Sequence, residues 1–373
     1  MFLLSIILII SYSLIIIFFF IGLFIYREKR ISEKKFVSVV IPTLNEENNI
    51  KNIISDLKKQ SYPTNLFEII IIDDNSKDNT VKIIRSYQQD MNNLKLFSSN
   101  DDKHSKLNFK KKPLNIGINN AQGEIILLTD ADCRVPQKWI ETMSSYFTDE
   151  VGFVIGHSQL KTFYKKQEKF EALDFLLLSS AGRSSSQLNF PLACTGQNIA
   201  YKKKAFYDVN GFNDFADALG GDDTFLMELI KKNTSWKIVY AVDKDSHVKT
   251  NPCNNWKEFC SQRKRWASDA LFFKNENPFF FIMMLITFFS NLLPLILFLS
   301  SFINSNYIIL LFYVLFIKMS VELLLTLKAT SLFQVKELRL SFLFWFFLQI
   351  PYVVYMSMNT LFFNNKQWGG RHI

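Results

Sequence analysis

The sequence is short of the residues from which most metal and redox centres are built. Its 373 residues include four cysteines, Cys133, Cys194, Cys253 and Cys260, none in Cys-x-x-Cys spacing, so neither a zinc site nor a disulfide framework is expected. His157 and His247 have no partner at ligand spacing and read as ordinary buried or surface imidazoles. The chain also lacks a Gly-x-Gly-x-x-Gly after its first strand-like segment and any Gly-x-x-x-x-Gly-Lys-Ser/Thr, which argues against a dinucleotide-binding domain and a P-loop ATPase. It has no internal repeat and no long low-complexity linker.

Charge is missing altogether from residues 1–26, a run long enough to cross a hydrocarbon core of ~30 Å at ~1.5 Å per residue. No basic residue precedes it and no Ala-x-Ala-like site follows, so a spanning helix is expected rather than a cleaved signal peptide. The cluster Arg27, Lys29, Arg30, Lys34 and Lys35 follows the span, which by the positive-inside rule turns the amino terminus out and leaves residue 36 onward in the cytoplasm. Three further apolar stretches, Pro278–Ile303, Tyr307–Leu327 and Leu340–Phe363, lie near the carboxy end. The first two read as a hairpin around Asn304-Ser305-Asn306. The third either crosses or, helped by Pro351, stays at the interface or re-enters, since a crossing would carry the basic tail outside. A net charge of +9 is explained by basic clusters beside these segments, so the expected partner is an anionic bilayer and not nucleic acid.

Between the apolar ends the pattern changes. Val37–Ile41, Ile69–Ile72 and Ile125–Leu128 are short Val/Ile/Leu runs separated by helix-like stretches, as in strands of a parallel sheet buried on both faces. Each ends in a polar, acidic turn: Pro42-Thr43-Leu44-Asn45-Glu46, Asp73-Asp74-Asn75-Ser76 and Asp130-Ala131-Asp132. An open α/β sheet binds ligands beyond the carboxyl ends of its strands, and a carboxylate pair there can hold a divalent cation against a diphosphate. Each group also has a plainer reading: Asn45 as a helix cap, Asp73 as an Asx turn, Lys110-Lys111-Lys112 as a solvated charge run.

These turns, with Gly220-Gly221-Asp222-Asp223 and Gln262-Arg263-Lys264-Arg265-Trp266, resemble the membrane-bound family 2 glycosyltransferases over roughly residues 36–270. The resemblance implies a GT-A fold, an α/β Rossmann-like domain with a mostly parallel sheet, here between amino- and carboxy-terminal transmembrane helices. It implies a nucleotide-sugar donor contacted by Pro42, Thr43, Glu46, Asp73, Asp74, Asp130, Gln262, Arg265 and one of Lys110 and Lys111. Mg²⁺ or Mn²⁺ would be held by Asp132, with Asp130 contacting ribose or reaching the metal through water. Asp223 corresponds to the base of inverting members and Asp222 to its catalytic neighbour, in the place usually taken by Glu, with capping of the helix as the plainer reading for one of the two. Trp266 and the segment Cys194–Tyr201, with Gly196 and Asn198, correspond to the acceptor cleft, and Trp368-Gly369-Gly370-Arg371 faintly echoes a terminal motif.

The expected organisation is a transmembrane helix over residues 1–26, a GT-A domain over 36–270 with an interfacial helix at 255–270, two to three membrane helices over 278–363 and a basic tail over 364–373. The expected function is inverting transfer of a sugar, UDP-linked, to a lipid-linked or glycan acceptor at a bacterial inner (plasma) membrane, with the catalytic domain cytoplasmic. Single addition is preferred to processive synthesis because polymer-threading members of the family use more helices. A silent nucleotide-sugar-binding subunit would have lost the acids that Asp130, Asp132 and Asp223 retain.

Overall fold

The computed structural model describes residues 2–27, 29–102, 105–161, 163–218, 220–268, 270–362, 367–368 and 371–372. Its strands are β1 (Val37–Thr43), β2 (Phe67–Asp73), β3 (Leu94–Ser98), β4 (Ile125–Leu128), β5 (Val151–Ile155), β6 (Ser158–Leu160), β7 (Ile199–Lys202), β8 (Lys237–Tyr240) and β9 (Val248–Thr250), with a short terminal pair, β10 (Gln367–Trp368) and β11 (Arg371–His372). Its α-helices are α1 (Phe2–Gly22), α2 (Ile50–Lys58), α3 (Thr80–Gln88), α4 (Lys111–Asn120), α5 (Trp139–Ser145), α6 (Lys166–Gln187) and α7 (Lys203–Asp208). They continue as α8 (Thr224–Asn233), α9 (Trp256–Ser268), α10 (Ala270–Glu276), α11 (Pro278–Ser301), α12 (Asn306–Leu332) and α13 (Phe342–Phe362). The chain divides into two compact units, one of residues 26–161 and 189–251 and one of residues 1–25, 162–188 and 252–373.

The first unit holds a seven-stranded sheet in the order β3-β2-β1-β4-β7-β5-β8. β1 pairs in parallel with β2 and β4, and β2 with β3, so the carboxyl ends of all four strands meet at one edge. β7 alone runs antiparallel to both its neighbours. The sheet is mostly parallel, as expected. Every residue of β2 is buried, in keeping with the four successive isoleucines at its centre. α2 sets Ile50, Ile53, Ile54 and Leu57 at helical spacing into the core formed with Val39, Ile41, Ile69 and Ile71.

The second unit is helical. Four of its helical segments, Phe2–Gly22, Pro278–Ser301, Asn306–Leu332 and Lys336–Asn359, are long and apolar enough to cross a membrane. Pro351 lies inside α13 without ending it, so this stretch is one continuous helix. α6 falls inside the expected 36–270 domain but belongs with these helices, because it is buried along most of its length and packs on α1, α12 and α13. Gly22 is what lets α1 approach α6: a Cβ there would lie 2.6 Å from the carbonyl oxygen of Ser184. Inside the apolar bundle, Lys318 and Glu322 of α12 pair with each other, and Tyr12 of α1 and Gln349 of α13 both donate to Glu322. An intramembrane ion pair satisfied from three helices binds those helices together.

Candidate active site

The site is built at the carboxyl edge of the parallel strands. After β1 and β2 the chain makes two turns that hold each other: Asn45 N donates to Ser76 Oγ at 2.9 Å, Glu46 N to Thr80 Oγ1 at 2.8 Å, and Lys77 N to Asn45 Oδ1 at 2.8 Å. Asn45 and Asn75 both take positive φ, 55° and 65°, a conformation in which asparagine is the usual non-glycine residue. Asn45 is therefore a turn residue and not the cap of α2, whose first helical residue is Ile50. Asp73 forms the Asx turn, accepting from Ser76 N at 3.3 and 3.2 Å. Pro42 and Thr43 end β1, and the buried Thr43 hydroxyl has no partner among the described residues.

The first two of the three consecutive lysines at the start of α4 separate into distinct roles. Lys110 Nζ lies 2.6 Å from Asp130 Oδ1 and 3.3 Å from Asp222 Oδ2, so one ammonium bridges the turn after β4 and the loop before α8. Burial pulls its pKa down, but the carboxylates of Asp130 and Asp222 more than reverse that and leave it raised. Lys111 is turned away: its ammonium is buried and donates to the carbonyl oxygens of Ala218 and Gly220, fixing the loop that precedes Asp222.

Asp223, not Asp222, is the N-cap of α8, because the helix begins at Thr224. Its Oδ1 accepts from Thr224 N at 2.6 Å and its Oδ2 from Gly196 N at 2.8 Å. Burial and then the neighbouring Asp222 push it up to about 6, within reach of a base working near neutrality. Asp222 is the more buried of the two and is committed to Lys110. Gly196 sits so close that a Cβ would lie 3.0 Å from Asp222 Oδ2 and 3.1 Å from Lys110 Nζ. The sequence places Gly196 and Asn198 together in the acceptor cleft, but Asn198 is fully buried. It donates to the carbonyl oxygens of His157 and Ser246 at 2.8 and 2.7 Å and accepts from Trp139 Nε1 at 3.0 Å, which commits both ends of its amide to the fold.

The remaining carboxylates crowd one another. Burial, then Asp130, raises Asp132 to about 6. Burial, with Asp132, Asp130 and Asp78, raises Glu46 to about 7 against the lowering effect of Asn49. Among the described residues no group of three or more His, Cys, Asp or Glu is arranged to hold a metal, so the protein offers no cage. A hard oxygen-donor pair of which Lys110 neutralises only Asp130 directly suits Mg²⁺ or Mn²⁺ completed by substrate phosphate and water. Thr250, absent from the sequence reading, joins this edge with Gln197 of the Cys194–Tyr201 segment: Thr250 Oγ1 is 3.4 Å from Asp132 Oδ2, and Gln197 Nε2 3.4 Å from Thr250 Oγ1. Both come from distant segments, and only the fold brings them here.

Gln262, Arg265 and Trp266 lie on α9, in the helical unit. Arg265 is half-buried with no ion pair among the described residues, and Trp266 packs against Arg263 and Phe175. Of the terminal motif, Gly369 and Gly370 lie outside the described residues, as do residues 364–366 and 373 of the tail.

Residues 125–363 match the model of glycosyl transferase family group 2, and residues 38–209 that of glycosyl transferase family 2. The chain belongs to the family 2 glycosyltransferases. Among its relatives are the glycosyltransferase AglE of Haloferax volcanii, 32% identical over 31% of this chain and 38% of that one. The beta-monoglucosyldiacylglycerol synthase of Trichormus variabilis is 28% identical over 65% of this chain and 50% of that one. The chain thus spans half or less of these relatives' length. The solved mannosyltransferase PcManGT of Pyrobaculum calidifontis, in complex with GDP-Man and Mn²⁺, superposes over 96% of this glycosyltransferase and 98% of its own chain, with a TM-score of 0.61 at 17% identity. That likeness establishes the shared GT-A fold.

Proposed function

We propose that the chain is an inverting, metal-dependent glycosyltransferase that moves a sugar from a UDP-linked donor to a hydroxyl of a lipid-linked or glycan acceptor. The observation that carries this reading is the Lys110 bridge, which ties the Asp130-Ala131-Asp132 turn to the Asp222-Asp223 loop and so sets a cation-type carboxylate pair and a base-type pair at one sheet edge. Thr43, Glu46, Asp73 and Asp74 take the nucleoside, and Asp130 the ribose. Lys110 faces the diphosphate. Asp132 and Asp130 would hold Mg²⁺ or Mn²⁺, which when bound would supply charge neutralisation for the departing nucleoside diphosphate. Asp223 accepts the acceptor hydroxyl's proton as its oxygen bonds to the anomeric carbon and the bond from that carbon to the diphosphate breaks. Displacement on one face inverts the centre. Support for a lipid acceptor comes from the Trichormus variabilis relative, named for a glycolipid product, and from the four candidate spans. Single addition is retained over polymer synthesis.

The sheet unit is placed in the cytoplasm of a bacterial plasma membrane, on the basic residues after α1. The test is release of nucleoside diphosphate by detergent-solubilised protein from UDP-glucose, UDP-galactose, UDP-N-acetylglucosamine and GDP-mannose, with and without chelator. Turnover of a UDP-sugar that stops on chelation is expected. Turnover of GDP-mannose alone would overturn the donor, and turnover in excess chelator the metal.

A further inference from the structure

The family resemblance gives roles to Gln262, Arg265 and Trp266 of α9 and leaves Arg263 over. Yet Arg263 is the residue of this group that the fold buries, at 5% exposure. A basic residue that only anchored α9 to a membrane surface would keep its head in water. Arg263 instead donates from Nε to Asp174 Oδ2 of α6 at 3.0 Å and from Nη1 to Gln262 Oε1 at 2.5 Å. Its guanidinium lies 4.1 Å from the ring centroid of Trp266 and 4.7 Å from that of Phe259. One planar group therefore touches two of the motif's working side chains and ties both to another helix of the same unit. Its chemistry also fixes their orientation. A carboxamide is an acceptor at one end and a donor at the other, whereas a guanidinium only donates. Gln262 must give Arg263 its oxygen, and its Nε2, with two N–H groups, has no partner among the described residues.

We propose that Arg263 is a positioning residue: it holds the Gln262 carboxamide oxygen inward, so that Nε2 is presented as a donor to phosphate or hydroxyl oxygens of the substrate, with Trp266 locked on the same platform. The proposal rests on the glycosyltransferase reading above. Lysine cannot replace Arg263, since a single ammonium lacks the planar fork that reaches Asp174 and Gln262 while stacking on Trp266.

The test is a pair of double-mutant cycles on the full chain in detergent, Arg263→Met with Gln262→Ala, read once by thermal stability and once by kcat/KM with the UDP-sugar that the wild type turns over. Each single change is expected to lower kcat/KM about tenfold to a hundredfold, the range for a misplaced contact group, and the double change no further. Arg263→Lys should not restore the rate. Gln262→Glu supplies the variant that must fold: its carboxylate pairs with Arg263, so the melting temperature holds while the rate falls as in Gln262→Ala, because the N–H donors are gone. Additive stability losses would overturn the clamp, and additive rate losses, full rescue by lysine or wild-type rate in Gln262→Glu would overturn the positioning role. A wild type that turns over none of the sugars would instead overturn the functional reading, while the stability cycle still decides the clamp.

Discussion

The two ends of the sheet bury carboxylates in opposite ways. At the amino end, Glu68 of β2 is almost inaccessible, but Lys95 Nζ, Ser38 Oγ and Gln122 N all donate to it, each at 2.6 Å. Burial pulls its pKa up, and these three donors more than offset that and leave it lowered. At the carboxyl end, Lys110 pairs with Asp130 and Asp222, while Glu46, Asp132 and Asp223 have no ion pair among the described residues and are raised. Burial acts alike at both ends, so the partners make the difference. A buried acid whose donors outweigh its burial belongs to the fold, whereas a crowd of acids that stay raised despite theirs is suited to a group that arrives later. The linkage signs follow. Glu68 contributes stability above the ordinary carboxylate range and loses it as pH falls, while the raised acids are relieved by protonation as pH falls through about 6 to 7.

Substitutions can break this contrast at either end. The largest effect is expected at Asp132: Asp132→Asn should remove turnover and also abolish the rise in melting temperature that Mn²⁺ gives the wild type, which shows the loss to be one of metal. Asp223→Asn should lower transfer by roughly 10²- to 10⁴-fold, the usual contribution of a general base, with UDP affinity little changed. In the wild type the rate should fall about tenfold per pH unit below about 6, where Asp223 takes up its proton, and Asp223→Asn should lack that limb. Gly196→Ala should cost about tenfold to a hundredfold in rate by pushing Asp222 and Lys110 apart, at near wild-type stability. At the opposite end, Glu68→Gln should leave kcat/KM alone and lower unfolding stability by about 2 kcal/mol, measured by denaturant titration, because Lys95 loses its charged partner. A rate effect at Glu68, or a purely structural effect at Asp132, would erase the distinction.

Much of the carboxyl end was legible in sequence because strands and their acidic turns are local. β1, β2 and β4 end where the apolar runs end, and a parallel sheet must bring those ends together. Side-chain direction was not legible. Adjacent lysines look alike in sequence, yet Lys110 faces carboxylates and Lys111 faces carbonyl oxygens. Asp223 takes the capping place that sequence offered to one of the two acids, since one residue of register at the start of α8 decides it. Asn198 reads as a cleft residue until the carbonyl groups of His157 and Ser246, far away in the chain, claim its amide. Glu68 was invisible for the same reason, its donors coming from residues 38, 95 and 122. The buried part of Gln-x-x-Arg-Trp is likewise a tertiary fact, because Asp174 is supplied by another helix.

The central claim is that the acids at the carboxyl end are held for a divalent cation and a nucleoside diphosphate together. Calorimetric titration of UDP into the detergent-solubilised protein, with Mn²⁺ and then with chelator, tests it most directly. The account predicts tight binding that requires Mn²⁺ and disappears in Asp132→Asn, and UDP binding of equal strength in chelator would contradict it.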